Sequence, residues 1–176
     1  MKKIISAITL LVVVLFTGCG SSQPDVPKVK TTKKYSIESI SLKLNEKVKT
    51  DIKYHTEKEP EQILIINVEM LLKDQGLLSE DKTMNTLKIN TVYKRRFLGD
   101  ETPAPTDSLA YPSMNYSVDV SDNLKVLTRV KQTDVTYKGG FTMNLQVMAG
   151  TLRDKKYELE FIGAFAHKIV SDIEKL

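Results

Sequence analysis

Apolar and polar positions follow two rhythms along this chain, and each change of rhythm marks a predicted element. Over residues 35–44, Ile40, Leu42 and Leu44 recur at every second position, whereas Tyr35 and Ile37 fall on the opposite parity. This predicts a strand with a slip near Ser39, either a bulge or a strand buried on both faces. The polar stretch 45–59 reads as a loop in which Val48 and Ile52 can prolong the pairing. From 60 to 75 the period lengthens. Leu64, Val68, Leu71 and Leu72 form a stripe that Ile63, Ile66 and Met70 widen, as on an amphipathic helix. Pro60 suits a first helical turn, and Glu59 and Glu61 put negative charge at the positive helix end. Gly76 is the stop signal, and Leu77 and Leu78 fold back over it.

Period two returns over 86–98. Leu87, Ile89, Tyr93 and Phe97 share one face; Lys88, Asn90, Lys94 and Arg96 share the other, with Val92 among them. One dry and one wet face imply an antiparallel sheet covered on one side. Met114, Tyr116 and Val118 start a further strand, Ser121-Asp122-Asn123 is a turn, and 124–130 returns. A second turn is expected at 132–134. A long strand is expected over 135–151, with Phe141, Met143, Leu145 and Val147 on one parity and Gly139-Gly140 as a bulge or bend. Ile162, Phe165, Ala166, Ile169, Ile173 and Leu176 make a helical stripe over 158–176. The expected order is β-α-β-β-β-β-α. The fold class is α+β: an antiparallel sheet with two helices on one face, a two-layer sandwich.

Ahead of this lies a different kind of segment. Lys2 and Lys3 precede an apolar run at 4–16, broken only by Ser6 and Thr9. It fits a signal-peptide core and falls short of the ~20 residues that span a bilayer. Cys19, the only cysteine, follows directly in Leu15-Phe16-Thr17-Gly18-Cys19. This resembles the lipobox of bacterial lipoproteins, with Phe16 where leucine is usual. The resemblance implies cleavage before Cys19 and a diacylglyceryl thioether on its sulfur, usually with a further amide-linked chain such as palmitate. Two or more acyl chains hold a protein firmly where one binds reversibly. Gly20, where aspartate would retain the protein at the inner membrane, implies the outer membrane. The expected location is therefore lipid-anchored and facing the periplasm, with the cell surface as the second option. The alternative is an ordinary cleaved signal peptide that leaves a free thiol. The expected domains are the leader 1–18, the lipidated Cys19 with a flexible tether over 19–34, and a single α+β domain over 35–176.

Charge and composition narrow the function. The formal net charge of +4 includes Lys2 and Lys3, so cleavage leaves +2, too balanced to imply a nucleic-acid partner. Tryptophan is absent and aromatics are sparse, which argues against an indole platform for carbohydrate. Residues 20–34 are rich in Ser, Pro, Thr and Lys and cannot bury enough apolar area to fold. Lys28, Lys30, Lys33 and Lys34 there suit either plain solvation or anionic headgroups.

Candidate chemistry is thin. His55 lies in a polar stretch without the neighbours a metal site needs, and His167 borders the last helical stripe as a boundary or surface histidine. No metal, cofactor or catalytic residue is assigned, since no nucleophile motif or phosphate loop is present. Lys88, Lys94 and Arg96 on the wet sheet face form a positive stripe for lipid phosphate or an acidic partner, or else an edge-protecting surface. The stretch 99–112, with Asp100, Glu101, Pro103, Pro105, Asp107, Tyr111 and Pro112, is long for a hairpin connection; it reads either as a partner-binding loop or as a surface excursion. The candidate partner-binding residues are thus Lys88, Lys94, Arg96, Asp100 and Tyr111. The element order is similar to small outer-membrane lipoproteins, such as the lipopolysaccharide-assembly lipoprotein and the auxiliary lipoproteins of transport systems. This resemblance carries over no functional residue. It implies a non-enzymatic binding or accessory subunit that touches membrane lipid through Cys19 and an envelope protein through its domain. A surface lipoprotein in adhesion or host contact is the alternative.

Overall fold

The computed structural model describes residues 31–81, 83–122 and 125–176. The leader, Cys19 and the tether up to residue 30 lie outside the described residues. The elements run β1 (Tyr35–Asn45), α1 (Lys58–Asp74), β2 (Asn85–Lys94), β3 (Ser113–Asp122), β4 (Lys125–Thr136), α2 (Phe141–Met148) and α3 (Lys156–Ile173). The four strands form one sheet in the order β1-β2-β3-β4. The α+β two-layer architecture expected from the sequence is present. Two details differ.

The first is strand direction. β1 and β2 pair in parallel, while β2–β3 and β3–β4 are antiparallel. The sheet is mixed because α1 is a crossover: it carries the chain back to the end where β1 began, which is how parallel neighbours are joined. The slip near Ser39 is a bulge, for the β1–β2 register shifts between Ile37 and Ser39.

The second is the expected long strand over 135–151. β4 ends at Thr136, Gly140 is the N-cap of a helix, and α2 takes Phe141–Met148. Apolar residues at 141, 143, 145 and 147 satisfy a period of two, but 143 and 147 also share a helical face. Met143 is buried and Val147 packs beside it against the core. A Cβ on Gly139 would lie 2.5 Å from the Met143 sulfur, so the residue before the N-cap has room for glycine alone. The turn expected at 132–134 is instead an irregularity within β4. There the register shifts opposite Met114–Tyr116, and Asp134 adopts φ 51° with its N–H held by Asn115 Oδ1 at 2.7 Å.

The sheet has the expected dry and wet faces. Leu87, Ile89 and Tyr93 of β2 stand beside Val120, Val118 and Met114 of β3, all fully buried. Lys88 and Asn90 face outward beside Asp119 and Ser117. α1 and α3 cover the dry face, packing on each other and on β1 and β3. Leu64, Val68 and Leu72 meet the layer of Phe161, Ile162, Phe165 and Ile169. Burying each such side chain contributes about 1.5–3 kcal/mol. Glu59 closes the start of α1 by accepting hydrogen bonds from the Thr56 N–H (2.8 Å) and hydroxyl (3.0 Å), half of a capping box. Gly76 at φ 68° ends the helix, and the Leu77 and Leu78 N–H groups return to Leu72 O at 2.8 and 3.2 Å. Leu78 then bridges to Tyr35.

Both sheet edges are strands, and they differ. The outer amides of β1 are occupied: Leu42 N–H donates to Glu61 Oε1 at 3.1 Å and Leu44 N–H to Glu57 Oε2 at 2.7 Å. The acidic first turn of α1 therefore also closes a sheet edge that would otherwise accept another strand.

Candidate functional site

Strand directions give the domain two ends. At one, the Thr31 hydroxyl donates to Leu176 O at 3.4 Å and Thr32 N–H to Asn85 Oδ1 at 2.9 Å. The chain from Cys19 therefore enters where α1 and α3 finish and β2 begins. At the other end lie the loop after β1, the segment after β2, α2 and the first turn of α3. Ten-residue strands separate the two ends by about 30 Å.

The far end is organised around a buried charge cluster. Arg95, one residue past β2, continues the inward parity of Leu87, Ile89 and Tyr93 and so carries a guanidinium into the interior. Its Nε donates to Glu158 Oε1 at 2.7 Å and its Nη2 to Glu158 Oε2 at 3.2 Å. Nη2 also donates to His55 O at 2.6 Å, and Nη1 pairs with Glu46. Arg95 is 5% exposed and Glu158 0%. Glu158 accepts two more bonds to Oε2, from the His55 N–H at 3.2 Å and from His55 Nδ1 at 3.0 Å. A carboxylate can only accept, so His55 carries a proton on Nδ1. Tyr54 closes the cluster, its ring 5.7 Å from the Arg95 guanidinium carbon and 5.5 Å from the Phe97 ring.

The electrostatics follow from this packing. Burial alone would lower the Arg95 pKa, but the charge and hydrogen bonds of Glu158, then those of Glu46, raise it. Burial, then the negative charges of Glu158 and Asp107, push the Tyr54 phenol up to about 12. Its hydroxyl donates to Asp107 O at 2.5 Å. Burial and then Glu158 raise the Tyr93 phenol well above its ordinary value; its buried hydroxyl has no hydrogen-bond partner among the described residues. The cluster joins three segments distant in sequence: Glu46 and His55 after β1, Arg95 after β2, and Glu158 on α3. Glu158 fills its acceptor positions with Arg95 and His55, so the arrangement acts as a clamp. Among the described residues no group of acidic, cysteine and histidine side chains is placed to hold a metal ion.

Above the clamp is a cleft of about 380 Å³ bordered by Lys47, Lys94, Arg95, Arg96, Asp100 and Asp134. Three sequence-predicted residues, Lys94, Arg96 and Asp100, meet here. Arg96 holds Asp100 through Nε–Oδ2 (2.5 Å) and Nη2–Oδ1 (2.8 Å), and Glu101 through Nη2–Oε1 (3.0 Å). The Arg96 hydrogen bond is the main reason the Asp100 carboxyl lies below the usual range. Lys94 pairs with Asp134 at 2.5 Å. Tyr111 lies nearby at the same end, where its hydroxyl donates to Asn144 Oδ1 of α2 at 2.5 Å and its ring meets Tyr137 edge-on. Lys88 does not join them; it sits further down the outer face with Glu38 at 3.8 Å. The supposed positive stripe is therefore a row of cations, each beside its own carboxylate.

The stretch 99–112 is ordered at its base. Leu98 N–H donates to Ser108 O and Ala110 N–H to Arg96 O, at 2.8 and 2.9 Å, and Phe97 bridges Leu109. Phe97, Ser108 and Leu109 are buried, so only the tip at 101–105 projects. Sequence reasoning missed the Arg95–Glu158–His55 clamp. Its one available signal was parity, which turns Arg95 away from Lys94 and Arg96 and toward the core.

No helix among the described residues is long and apolar enough to cross a membrane. No protein-family model matches the chain, and no curated protein matches it. Among solved structures the chain is similar to a minor lipoprotein from Acinetobacter baumannii, at 17% identity and a TM-score of 0.44, over 83% of this chain and 94% of that one. It is also similar to a DUF330 protein from Xanthomonas campestris, at 11% identity and a TM-score of 0.33, over 86% of this chain and 93% of that one. Both likenesses are too loose to transfer an architecture or a role to this chain.

Proposed function

We propose that this protein is a lipid-anchored envelope lipoprotein that serves as a binding or accessory subunit, without catalysis of its own, at the periplasmic face of the outer membrane. The observation that carries the reading is the polarity of the domain. The chain bearing Cys19 enters at one end, and the projecting 101–105 tip, the charged cleft and Tyr111 gather at the other. A tether at one pole and a rigid, charged surface at the opposite pole suit a subunit that presents a contact site away from the bilayer. The clamp supports this role, because its charged groups are spent on each other and fix the far-end segments. Acyl chains on one sulfur supply the membrane affinity, since each buried methylene contributes about 0.8 kcal/mol.

Two measurements test this. Metabolic labelling with a palmitate analogue should mark the wild-type chain and not Cys19→Ala, whose retained label would end the anchor assignment. A photo-crosslinking side chain at Glu101 should capture one discrete envelope protein in whole cells, whereas the same group at Lys88 should not. Equal capture at both positions would remove the far end from its role.

A further inference from the structure

Two apolar patches stand in the open on this domain, and their shapes and charges differ. The first is a ridge. On α2, Phe141 is 79% exposed, Leu145 49% and Met148 79%. At spacings of four and three they form one stripe, while Met143 and Val147 anchor the opposite face to the core. α2 contains no charged residue. Around it in the chain stand Lys138, Arg153, Lys155 and Lys156, with Asp154 the only acid among them. The second patch is a groove. On α1, Ile66 is 63% exposed and Met70 49%. With Leu78 they line a hollow of about 620 Å³ whose charged border is Glu69, Glu80 and Lys73.

Exposed apolar side chains in such groups mark contact surfaces more often than isolated ones do. The chain that flanks the ridge is net basic and the border of the groove is net acidic, which makes the two complementary in charge. The ridge lies at the far end of the domain, and the groove lies along the lower half of α1 toward the tether end. The two patches of one molecule therefore face different neighbours.

We propose that the occupant of the groove is a second copy of this chain, with the α2 stripe of one copy seated between α1 and Leu78 of the next. The contact is heterologous: each copy offers its ridge to one neighbour and its groove to another. Repetition of such a contact closes into a ring or continues as a row. The bilayer that holds Cys19 is disfavoured as the partner of α2, because α2 stands at the pole opposite the point where the tether enters. The contact is independent of Cys19 acylation, so its failure leaves the anchor assignment intact.

The test uses the full chain in whole cells, where Cys19 is the only native cysteine. Two differently tagged copies are co-expressed. One carries Leu145→Cys or Met148→Cys, the other Ile66→Cys or Met70→Cys, and mild oxidation follows. The expected result is a reducible mixed dimer for at least one of the four pairings. The two changes in one chain should give a ladder of higher species. Adding Phe141→Glu should cut the cross-linked yield at least tenfold with an unchanged circular dichroism spectrum. Absence of the mixed dimer in all four pairings would overturn the proposal. So would Met148→Cys cross-linking with itself as well as with the groove positions, since that indicates paired ridges.

Discussion

Arg95→Met is the sharpest probe of the clamp. The substitution keeps a long side chain but strips Glu158 of two of its four hydrogen bonds and of its only guanidinium partner. Glu158 is fully buried, so its charge remains uncompensated; breaking such a pair from one side costs about 3–5 kcal/mol. Small domains are stable by only about 5–15 kcal/mol, so about a fifth or more of the total is at stake. For a domain of this size the fall in melting temperature should be about 10–20 °C. Urea unfolding followed by far-ultraviolet circular dichroism suits a chain without tryptophan. The midpoint should fall with little change in slope. Arg95→Met combined with Glu158→Met should cost clearly less than the two single changes together, because the pair leaves the interior as a unit. A cost below about 1 kcal/mol for Arg95→Met, or strict additivity in the double variant, would refute the clamp.

Asp172 supplies a pH test: burial would raise its carboxyl, but hydrogen bonds from Lys168, Tyr116 and Lys175 hold it down to about 2. A depressed carboxylate stabilises the fold fully above its unfolded value of about 4, and that contribution fades as pH falls through 2. It amounts to at most about 2 kcal/mol, and Asp172→Asn should flatten the acid limb of a stability–pH curve between about pH 4 and 2. Gly76→Ala meets no atom within 4 Å of the added Cβ, so its cost should be the left-handed backbone strain alone, about 1–2 kcal/mol by thermal melt. Glu57→Ala with Glu61→Ala uncovers two edge amides of β1. It should cost about 1 kcal/mol per hydrogen bond and raise thioflavin-positive aggregation on mild heating.

Much of the fold is legible in the sequence, because burial imposes its period on the chain. α1 and α3 announce themselves by stripes that the core fills, and β2 by an alternation that leaves Leu87, Ile89 and Tyr93 dry. Even the bulge in β1 shows as a break in parity. α2 is misread because four apolar residues at alternate positions fit both periods, and three of its exposed residues, Phe141, Leu145 and Met148, are apolar. The parallel β1–β2 pair was implicit in a helix lying between two strands, but pattern alone does not state direction. At the candidate site, Lys94, Arg96, Asp100 and Tyr111 converge because the segment after β2 doubles back on itself. Asp134, which pairs with Lys94, and Asn144, which accepts from Tyr111, come from other parts of the chain, and one-dimensional spacing holds no record of them. Glu158 and His55 are a hundred residues apart, so only the folded chain makes them neighbours.

The end at which the chain enters has a mechanical consequence. β1 begins there and runs up the edge of the sheet beside β2, in register over ten pairs with one shift. If a partner pulls on the opposite pole while the acyl chains hold, the tension is directed lengthwise along β1. A strand loaded this way must shear its ladder as a whole, whereas a strand pulled sideways would peel one bond at a time. The domain is thus strong in the direction in which an anchored subunit would be strained.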